Sequence, residues 1–377
     1  MPWAGMVRMG EVIGGSPAGS DRPTGGVAIR VDGSRELGLG HIVRCLSLAL
    51  ALKIELGKKQ RPVSISFVCR EDEGARNVLE RSEFKDSIRW ISRDGDDLSE
   101  FGAILRELRP RVVVTDINLA GRVDEYLETI YPAAHVSIHE RNYHLLAGDK
   151  VIAPTIRPLQ HSEDGAPGMV NFIGPEYVLL APDIPERRKR APAPKDPPGM
   201  ILVSMGGGDP TRLTLKVAGA IRAYKDPRID WKVILGPASG YDKWELVREF
   251  PGRIDFLPGG DLDRGDFLGL VESSDVVITN GATTLYESLA LGRPSIAIPQ
   301  GDFEAVVVSF LVEAGACVTP REGTSPGILE SLSGFLEDSS LRKRVSARGK
   351  ELIDGEGALR VARMIVELVG GATACRP

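Results

Sequence analysis

The chain contains no uninterrupted apolar run of about 18 residues, which is the length that a membrane-spanning helix needs. Its mean hydropathy of −0.07 is typical of a globular protein. Cysteine is scarce, and the residues present, Cys45, Cys69, Cys317 and Cys375, lie too far apart for a CxxC pair or a zinc knuckle. We therefore predict a cytoplasmic protein without a membrane span, and we interpret the thiols as buried or incidental.

An excess of positive charge is absent as well. The formal net charge is −5 at pH 7, which indicates no general surface for nucleic acid or for an anionic membrane. The basic run 187–190 is short and is interpreted as a solvated face. No group of His, Cys, Asp and Glu residues has the spacing of a metal site. We expect no metal, no cofactor and no nucleic-acid partner.

What the sequence does contain is an alternation of strand and helix patterns in two halves. At 377 residues the chain exceeds the roughly 250 to 300 at which one core usually stops growing. Residues 1–26, rich in Gly, Ser and Pro, are interpreted as a disordered leader. The proline-rich segment 182–199 is interpreted as a linker that cannot sustain a helix. We predict an α/β protein with Rossmann-like domains at 27–181 and 200–377, in the GT-B architecture with a central cleft.

The strand patterns themselves are short apolar segments bounded by turn residues, and their alternation with helical patterns favours parallel sheets. They fall at 27–32, 64–70, 87–92, 111–117, 135–139 and 150–153 in the first half, and at 200–205, 231–235, 253–257, 276–279, 295–299 and 316–318 in the second.

The loop 33–42, GSRELGLGHI, is the most informative segment. It joins a strand pattern to a long helical pattern at 41–58. Backbone N–H groups at such a helix start favour anions, and a glycine such as Gly40 lets a ligand approach the main chain closely. A dinucleotide fingerprint would continue to a third glycine, whereas this loop places His41 near the expected phosphate site. A dehydrogenase is therefore disfavoured.

The second half opens in a similar way. Its first strand pattern runs into a glycine loop that contains Gly206 and Gly207, with Asp209 or Thr211 available to cap the following helix. Such a loop suits a ligand phosphate but is also common in tight turns.

A second loop in this half strengthens the prediction. A strand pattern ends in Asn280 and Gly281, and a helix pattern then begins with Thr283 and Thr284 and carries Glu287 one turn later. Threonine hydroxyls and helix N–H groups suit a diphosphate, while a nearby carboxylate accepts both ribose hydroxyls. The alternative is that Glu287 completes a capping arrangement with one of the threonines.

The segment 30–44, RVDGSRELGLGHIVR, resembles the R-x-D-x-S-x-x-I-G-x-G-H-x-x-R opening of a family of UDP-sugar hydrolases in pseudaminic-acid biosynthesis and of its spore-coat polysaccharide relatives. The family acts on UDP-2,4-diacetamido-2,4,6-trideoxy-β-L-altropyranose. Further segments resemble family segments in the same order, at 112–116, 174–180, 203–209, 279–287 and 353–360.

The resemblance implies hydrolysis of a UDP-linked deoxy or acetamido sugar at the anomeric C–O bond, without a metal and with release of UDP. His41 would act as the general base, since an unperturbed imidazole titrates near neutral pH. Asp32 and Asp116, at strand ends facing one cleft, would orient His41 or hold sugar hydroxyls. Arg44 would contact the diphosphate or the sugar. The alternatives are that His41 merely packs on the sheet and that Arg44 is a surface charge.

One departure from the family pattern concerns the sugar. Family members carry an acidic pair after a strand where this chain has His139 and Glu140. An imidazole replaces a carboxylate there, so the hydrogen-bonding capacity toward sugar hydroxyl or amide groups changes. The sequence therefore leaves open whether the sugar is that of the named family or a different one.

Other functions fit the same patterns. A GT-B glycosyltransferase would transfer the sugar to an acceptor instead of water, and a hydrolysing UDP-sugar 2-epimerase would release an epimer. A nucleotide-sugar binding protein without activity would need no base, so His41 argues against it.

Overall fold

The computed structural model describes residues 25–34, 37–60, 63–119, 121–138, 149–154 and 170–371. Residues 1–24 of the expected leader, the His139 and Glu140 departure, and Cys375 lie outside the described residues.

Two parallel sheets organise the described chain. The strands of the first are β1 (Gly26–Val31), β2 (Ser64–Arg70), β3 (Ile88–Ile91), β4 (Val112–Asp116), β5 (Ala134–Ile138), β6 (Lys150–Ala153) and β7 (Val170–Ile173). Those of the second are β8 (Met200–Ser204), β9 (Asp230–Leu235), β10 (Ile254–Pro258), β11 (Val276–Thr279) and β12 (Ser295–Ala297). The spatial orders are β3-β2-β1-β4-β5-β6-β7 and β10-β9-β8-β11-β12. The expected α/β class with parallel sheets is confirmed. The pattern at 316–318 yields only an isolated bridge, between Ile296 and Val318.

Helices connect the strands and cover the sheets. In the first half they are α1 (Gly40–Lys58), α2 (Glu73–Leu79), α3 (Asp97–Leu108) and α4 (Val123–Ile130). The remainder are α5 (Ile184–Arg190), α6 (Leu213–Ala223), α7 (Lys243–Glu249), α8 (Arg264–Ser273), α9 (Thr283–Ala290), α10 (Asp302–Glu313), α11 (Ser325–Glu337), α12 (Ser339–Leu352) and α13 (Gly357–Gly370). No helix in the described part of the chain is long and apolar enough to cross a membrane.

Both sheets have a switch point where the strand order reverses. In the first sheet it lies between β1 and β4, with Val31 paired to Asp116. In the second it lies between β8 and β11, with Ser204 paired to Thr279. The crevice beyond the carboxyl ends of such strands is where open parallel sheets bind ligands. The three candidate loops found in the sequence follow β1, β8 and β11, and the predicted site residue Asp116 ends β4.

The segment 182–199 departs from the expectation that it sustains no helix, since its first part forms α5. A proline is tolerated there because Pro185 lies in the first helical turn, where its missing N–H needs no intrahelical acceptor. Ile184 is buried, and Arg187 is 3.0 Å from Glu272 on α8. The basic run is therefore partly paired against the second half and not wholly a solvated face.

The final helix, α13, packs against the core of the first sheet. Its buried residues recur every three or four positions, among them Val361, Ala362 and Ile365, and they share one apolar cluster with α1 and β1. We therefore propose that the first structural unit contains 27–181 together with α13, and that the second begins at about residue 200 and ends before α13. This differs from the sequence-based boundary, which assigned α13 to the second half, because a returning helix has no local sequence signature.

We predict that Ile365→Ala destabilises the first unit by about 2 to 5 kcal/mol, because a fully buried side chain leaves a cavity. Urea unfolding measures the loss, and hydrogen exchange locates it in the peptides of β1, β2 and β4. The exposed Glu367→Ala on the same helix is the control and stays within about 0.5 kcal/mol of wild type. Faster exchange confined to the second sheet would contradict the assignment.

Candidate active site

The first turns of α1 converge on the end of β4, at Asp116. The Nδ1 atom of His41 is 2.8 Å from Asp116 Oδ1. Arg44 donates to both carboxylate oxygens, from Nη2 to Oδ1 and from Nε to Oδ2, each at 2.5 Å. The thiol of Cys45 lies 3.5 Å from Oδ2. Positions 41, 44 and 45 share one helical face, so their spacing alone directs all three side chains to the same strand end.

The ionisation of Asp116 determines the tautomer of the neutral His41 imidazole. Burial by itself would raise the pKa of this carboxyl, but Arg44 and His41 outweigh burial and hold the pKa well below its usual range. A carboxylate can only accept, so in the neutral ring the proton lies on Nδ1 and points to Asp116, which leaves the lone pair on Nε2. Nη2 of Arg44 is also 3.0 Å from Nδ1, but both atoms are donors in this tautomer, so the carboxylate is their shared acceptor.

The two partners differ in their access to solvent. The side chain of His41 is 38% exposed, whereas that of Asp116 is 1% exposed. The ring is thus held from its buried edge, while the rest of it borders the cleft.

The low pKa of Asp116 in the folded state also makes folding stability depend on pH. The ionised Asp116 stabilises the fold at pH values above the ordinary aspartate pKa of about 3.9, and this stabilisation is lost as the pH falls below that value.

Asp32 lies at the neighbouring strand end but has other partners. Its carboxylate accepts from Arg30 at 2.6 and 2.9 Å and from the backbone N–H of Arg70 at 2.8 Å. Arg30 is buried and also donates to Asp97 at 2.6 Å. Of the two predicted carboxylates, Asp116 is therefore the one in contact with His41, and Asp32 belongs to an adjoining, partly buried ion-pair cluster around Arg30.

Asp209 caps a helix, as the sequence allowed. Its two carboxylate oxygens accept from the backbone N–H groups of Leu213 and Thr214, each at 2.8 Å, at the start of α6. The hydroxyl of Tyr241 donates to the same carboxylate at 2.8 Å. The described contacts of Asp209 thus stabilise the loop that carries Gly206 and Gly207, and we propose a structural role for it in place of direct substrate contact.

Two residues that the sequence analysis did not identify tie the second-half loops together. Glu304, in the first turn of α10, accepts from the Asn280 side chain at 2.8 Å, from Gly281 N–H at 3.3 Å and from Gln300 N–H at 2.8 Å. Gln300 in turn donates from Nε2 to Met205 O at 2.7 Å. The available signal was the polar segment 300–304 that follows β12, another strand end at the same edge of the sheet.

Two positions in these loops require glycine for steric or conformational reasons. A β-carbon at Gly281 would lie 2.9 Å from atoms of Glu304 and Val308, so a side chain would push α10 away. Gly206 has φ +83°, a left-handed conformation that other residues rarely adopt.

Glu287 is fully buried, with Oε1 in an ion pair with Arg264 of α8, whose side chain is 37% exposed. Within the described residues, its other oxygen, Oε2, is buried without a hydrogen-bond partner. The capping alternative for Glu287 is wrong, since α9 begins after Ala282 without a side-chain capping bond. A ligand hydroxyl could reach this carboxylate only after the Arg264 side chain moves.

The two halves meet at the starts of α1 and α9. A β-carbon at Gly40 would lie 3.8 Å from Thr283 Oγ1, and one at Gly207 would lie 3.6 Å from Leu39 Cδ1. Neither helix start has a side-chain cap or an acidic residue in its first turn. Two positive helix ends therefore border one cleft, an arrangement that favours an anion. Thr284, in the first turn of α9, is by contrast buried in the protein interior.

Among the described residues, no group of three His, Cys, Asp or Glu side chains could hold a metal ion.

Comparison with known proteins identifies a relative by sequence and establishes the fold. No protein-family profile matches it. It is 26% identical over 353 residues to the spore coat polysaccharide biosynthesis protein SpsG of Bacillus subtilis (strain 168), covering 91% of this chain and 98% of that protein. The resemblance to the spore-coat polysaccharide relatives is confirmed. The finer resemblance to the pseudaminic-acid hydrolases stays a prediction.

Solved structures confirm the GT-B fold. The structure of MurG from Acinetobacter baumannii aligns with a TM-score of 0.61 at 13% identity, over 91% of this chain and 99% of that one. The complex of Staphylococcus aureus MnaA with UDP aligns with a TM-score of 0.60 at 14% identity, over 92% of this chain and 98% of that one. At these identities the likeness establishes the fold and leaves the reaction open.

Proposed function

We propose that the protein hydrolyses a UDP-linked deoxy or acetamido sugar at the anomeric C–O bond and releases UDP and the free sugar for surface polysaccharide or nonulosonic acid biosynthesis. The observation that carries the proposal is the His41 ring, fixed through Nδ1 by the buried Asp116 carboxylate at a cleft bordered by two uncapped helix starts. Similarity to a spore coat polysaccharide biosynthesis protein supports the biosynthetic setting, and the fold shared with a UDP complex supports the nucleotide.

The second half would hold the nucleotide. The start of α9, with the partly exposed Thr283, faces the diphosphate, and the buried Thr284 supports this turn from inside. The loops that carry Gly206, Gly207, Asn280 and Gly281 line the same switch point. Glu287 accepts the ribose hydroxyls once Arg264 moves, which satisfies the orphaned Oε2 oxygen. We place no metal in the reaction, because the helix ends supply positive potential at the diphosphate.

The first half would supply the chemistry. Nε2 of His41 accepts a proton from water, the water oxygen forms a bond to the anomeric carbon, and the bond from that carbon to the diphosphate oxygen breaks. The electron pair leaves with UDP, whose charge the starts of α1 and α9 stabilise. Asp116 keeps the ring in the tautomer that leaves Nε2 free, and Asp32 shapes the sugar side of the cleft through its cluster with Arg30.

Incubation with a panel of UDP-sugars, without acceptor and in the presence of EDTA, tests the reaction class. We expect release of UDP and of a free sugar whose first-formed anomer, followed by rapid NMR, is inverted relative to the substrate, because one water attacks opposite UDP. Release that requires an added acceptor would identify a glycosyltransferase, and an epimeric product would identify a hydrolysing 2-epimerase. UDP-sugar binding without turnover would identify a binding protein.

The ribose contact of Glu287 is tested by calorimetry with UDP and with 2′,3′-dideoxy-UDP. Glu287→Ala should weaken UDP binding by about 1 to 3 kcal/mol through loss of charge-assisted hydrogen bonds. Wild type should prefer UDP over the dideoxy nucleotide, and the variant should lose that preference. The exposed Glu337→Ala serves as the control and should bind both nucleotides like wild type. A Glu287→Ala protein that still discriminates between them would remove Glu287 from the ribose site.

Replacement of the base tests His41 directly. We expect His41→Gln to lower kcat by about 100-fold or more with nearly unchanged affinity for the UDP-sugar, since a base acts in the transition state. The acid limb of the kcat profile should disappear as well. Lys53→Gln, an exposed change on the same helix, should leave kcat unchanged. Normal turnover at saturation combined with weakened binding would assign His41 to binding.

A further inference from the structure

The structure gives the Arg44 guanidinium a partner within the protein, and its contact with the diphosphate or the sugar stays a prediction. The guanidinium binds the Asp116 carboxylate side-on through two hydrogen bonds of 2.5 Å. Its side chain is 8% exposed, and that of Asp116 is 1% exposed. A bidentate pair with this little solvent is a fixed part of the protein interior, and its geometry is the one that planar guanidinium groups favour.

The charges around His41 determine whether the Asp116 carboxylate favours the protonated form of the imidazole. In the described part of the chain, the titratable or charged groups recorded next to His41 and Asp116 are Arg44 and Cys45 on α1, and Cys69 on β2 acts in turn on Cys45. Burial, followed by the Asp116 charge, raises the pKa of the Cys45 thiol, so Cys45 stays neutral and donates. Arg44 is therefore the cation that faces the Asp116 anion.

An imidazole next to an uncompensated carboxylate gains both a hydrogen bond and an attractive negative charge, and the charge favours the protonated ring. A base has to be unprotonated before it can accept a proton from water. Because Arg44 binds the same Asp116 carboxylate, its positive charge offsets the negative charge beside the ring. The hydrogen bond between Asp116 and Nδ1 of His41 remains.

We propose that Arg44 is a positioning residue that neutralises Asp116, so that this carboxylate fixes the Nδ1–H tautomer of His41 without favouring the imidazolium ion. The inference rests on the proposed role of His41 as the base. It explains why two oppositely charged groups are buried directly behind a partly exposed histidine, and it separates the hydrogen-bonding role of Asp116 from its charge.

The test is the titration of His41 in the free protein, followed by long-range ¹H–¹⁵N NMR correlations. The chain has only five histidines, and His41→Gln identifies the resonance. In Arg44→Gln the titration midpoint of His41 should rise by about 1 to 2 pH units, since an opposite charge is left uncompensated nearby. In Arg44→Lys, which retains the charge, it should stay near the wild-type value. The acid limb of kcat/KM should move with the midpoint in each variant.

Two further variants keep the test decisive if Arg44→Gln folds poorly. Arg44→Gln combined with Asp116→Asn removes both charges together and retains an acceptor for Nδ1, so the midpoint should return close to that of wild type. Arg342→Gln removes another buried, ion-paired arginine in the second half and should leave the midpoint unchanged.

A folded Arg44→Gln protein in which the titration midpoint of His41 is unaltered would overturn the inference. If that protein also lost UDP binding, Arg44 would be assigned to contact with the diphosphate. Because the titration needs no substrate, it separates the two proposals. Absence of hydrolysis by the wild type would defeat the proposed function while the charge coupling could still be measured.

Discussion

The hydrogen bonds that Asp116 accepts from α1 are the constraint on which the candidate site depends. They exist because β4 pairs in parallel with β1, which brings the end of one strand beside the helix that follows the other. A single buried carboxylate then fixes His41 and Arg44 at once. Without this pairing, the imidazole would be an exposed side chain on a glycine loop with no preferred tautomer or direction.

In the second half, two glycine loops are held in place without side chains that fill the crevice between them. Glu304 on α10 holds them by accepting hydrogen bonds from the Asn280 side chain and from two backbone N–H groups. The buried Oε2 of Glu287, unpartnered among the described residues, has an energetic cost that the fold alone does not explain. Local violations of good packing of this kind are expected at functional sites, where a ligand supplies the missing partner.

A fold does not determine a function, so the GT-B scaffold does not by itself select among transfer, epimerisation and hydrolysis. What distinguishes these outcomes is which groups border the anomeric carbon and whether an acceptor or water reaches it. In this chain the first half supplies an imidazole that the buried Asp116 carboxylate orients, and Arg44 binds the same carboxylate. That arrangement, in the first half of the molecule, suits proton abstraction.

The sequence by itself determined the elements and the candidate loops. Alternating apolar patterns located nearly every strand, and the helical pattern at 41–58 corresponds to α1 (Gly40–Lys58), because hydrophobic periodicity is a local property of the sequence. The i, i+3, i+4 spacing of residues 41, 44 and 45 was also visible. Only the tertiary structure decided their partners. Arg44 on Asp116, Arg264 on Glu287 and α13 on the first core are contacts between segments far apart in sequence, and strand order and packing, which leave no local periodicity, bring them together.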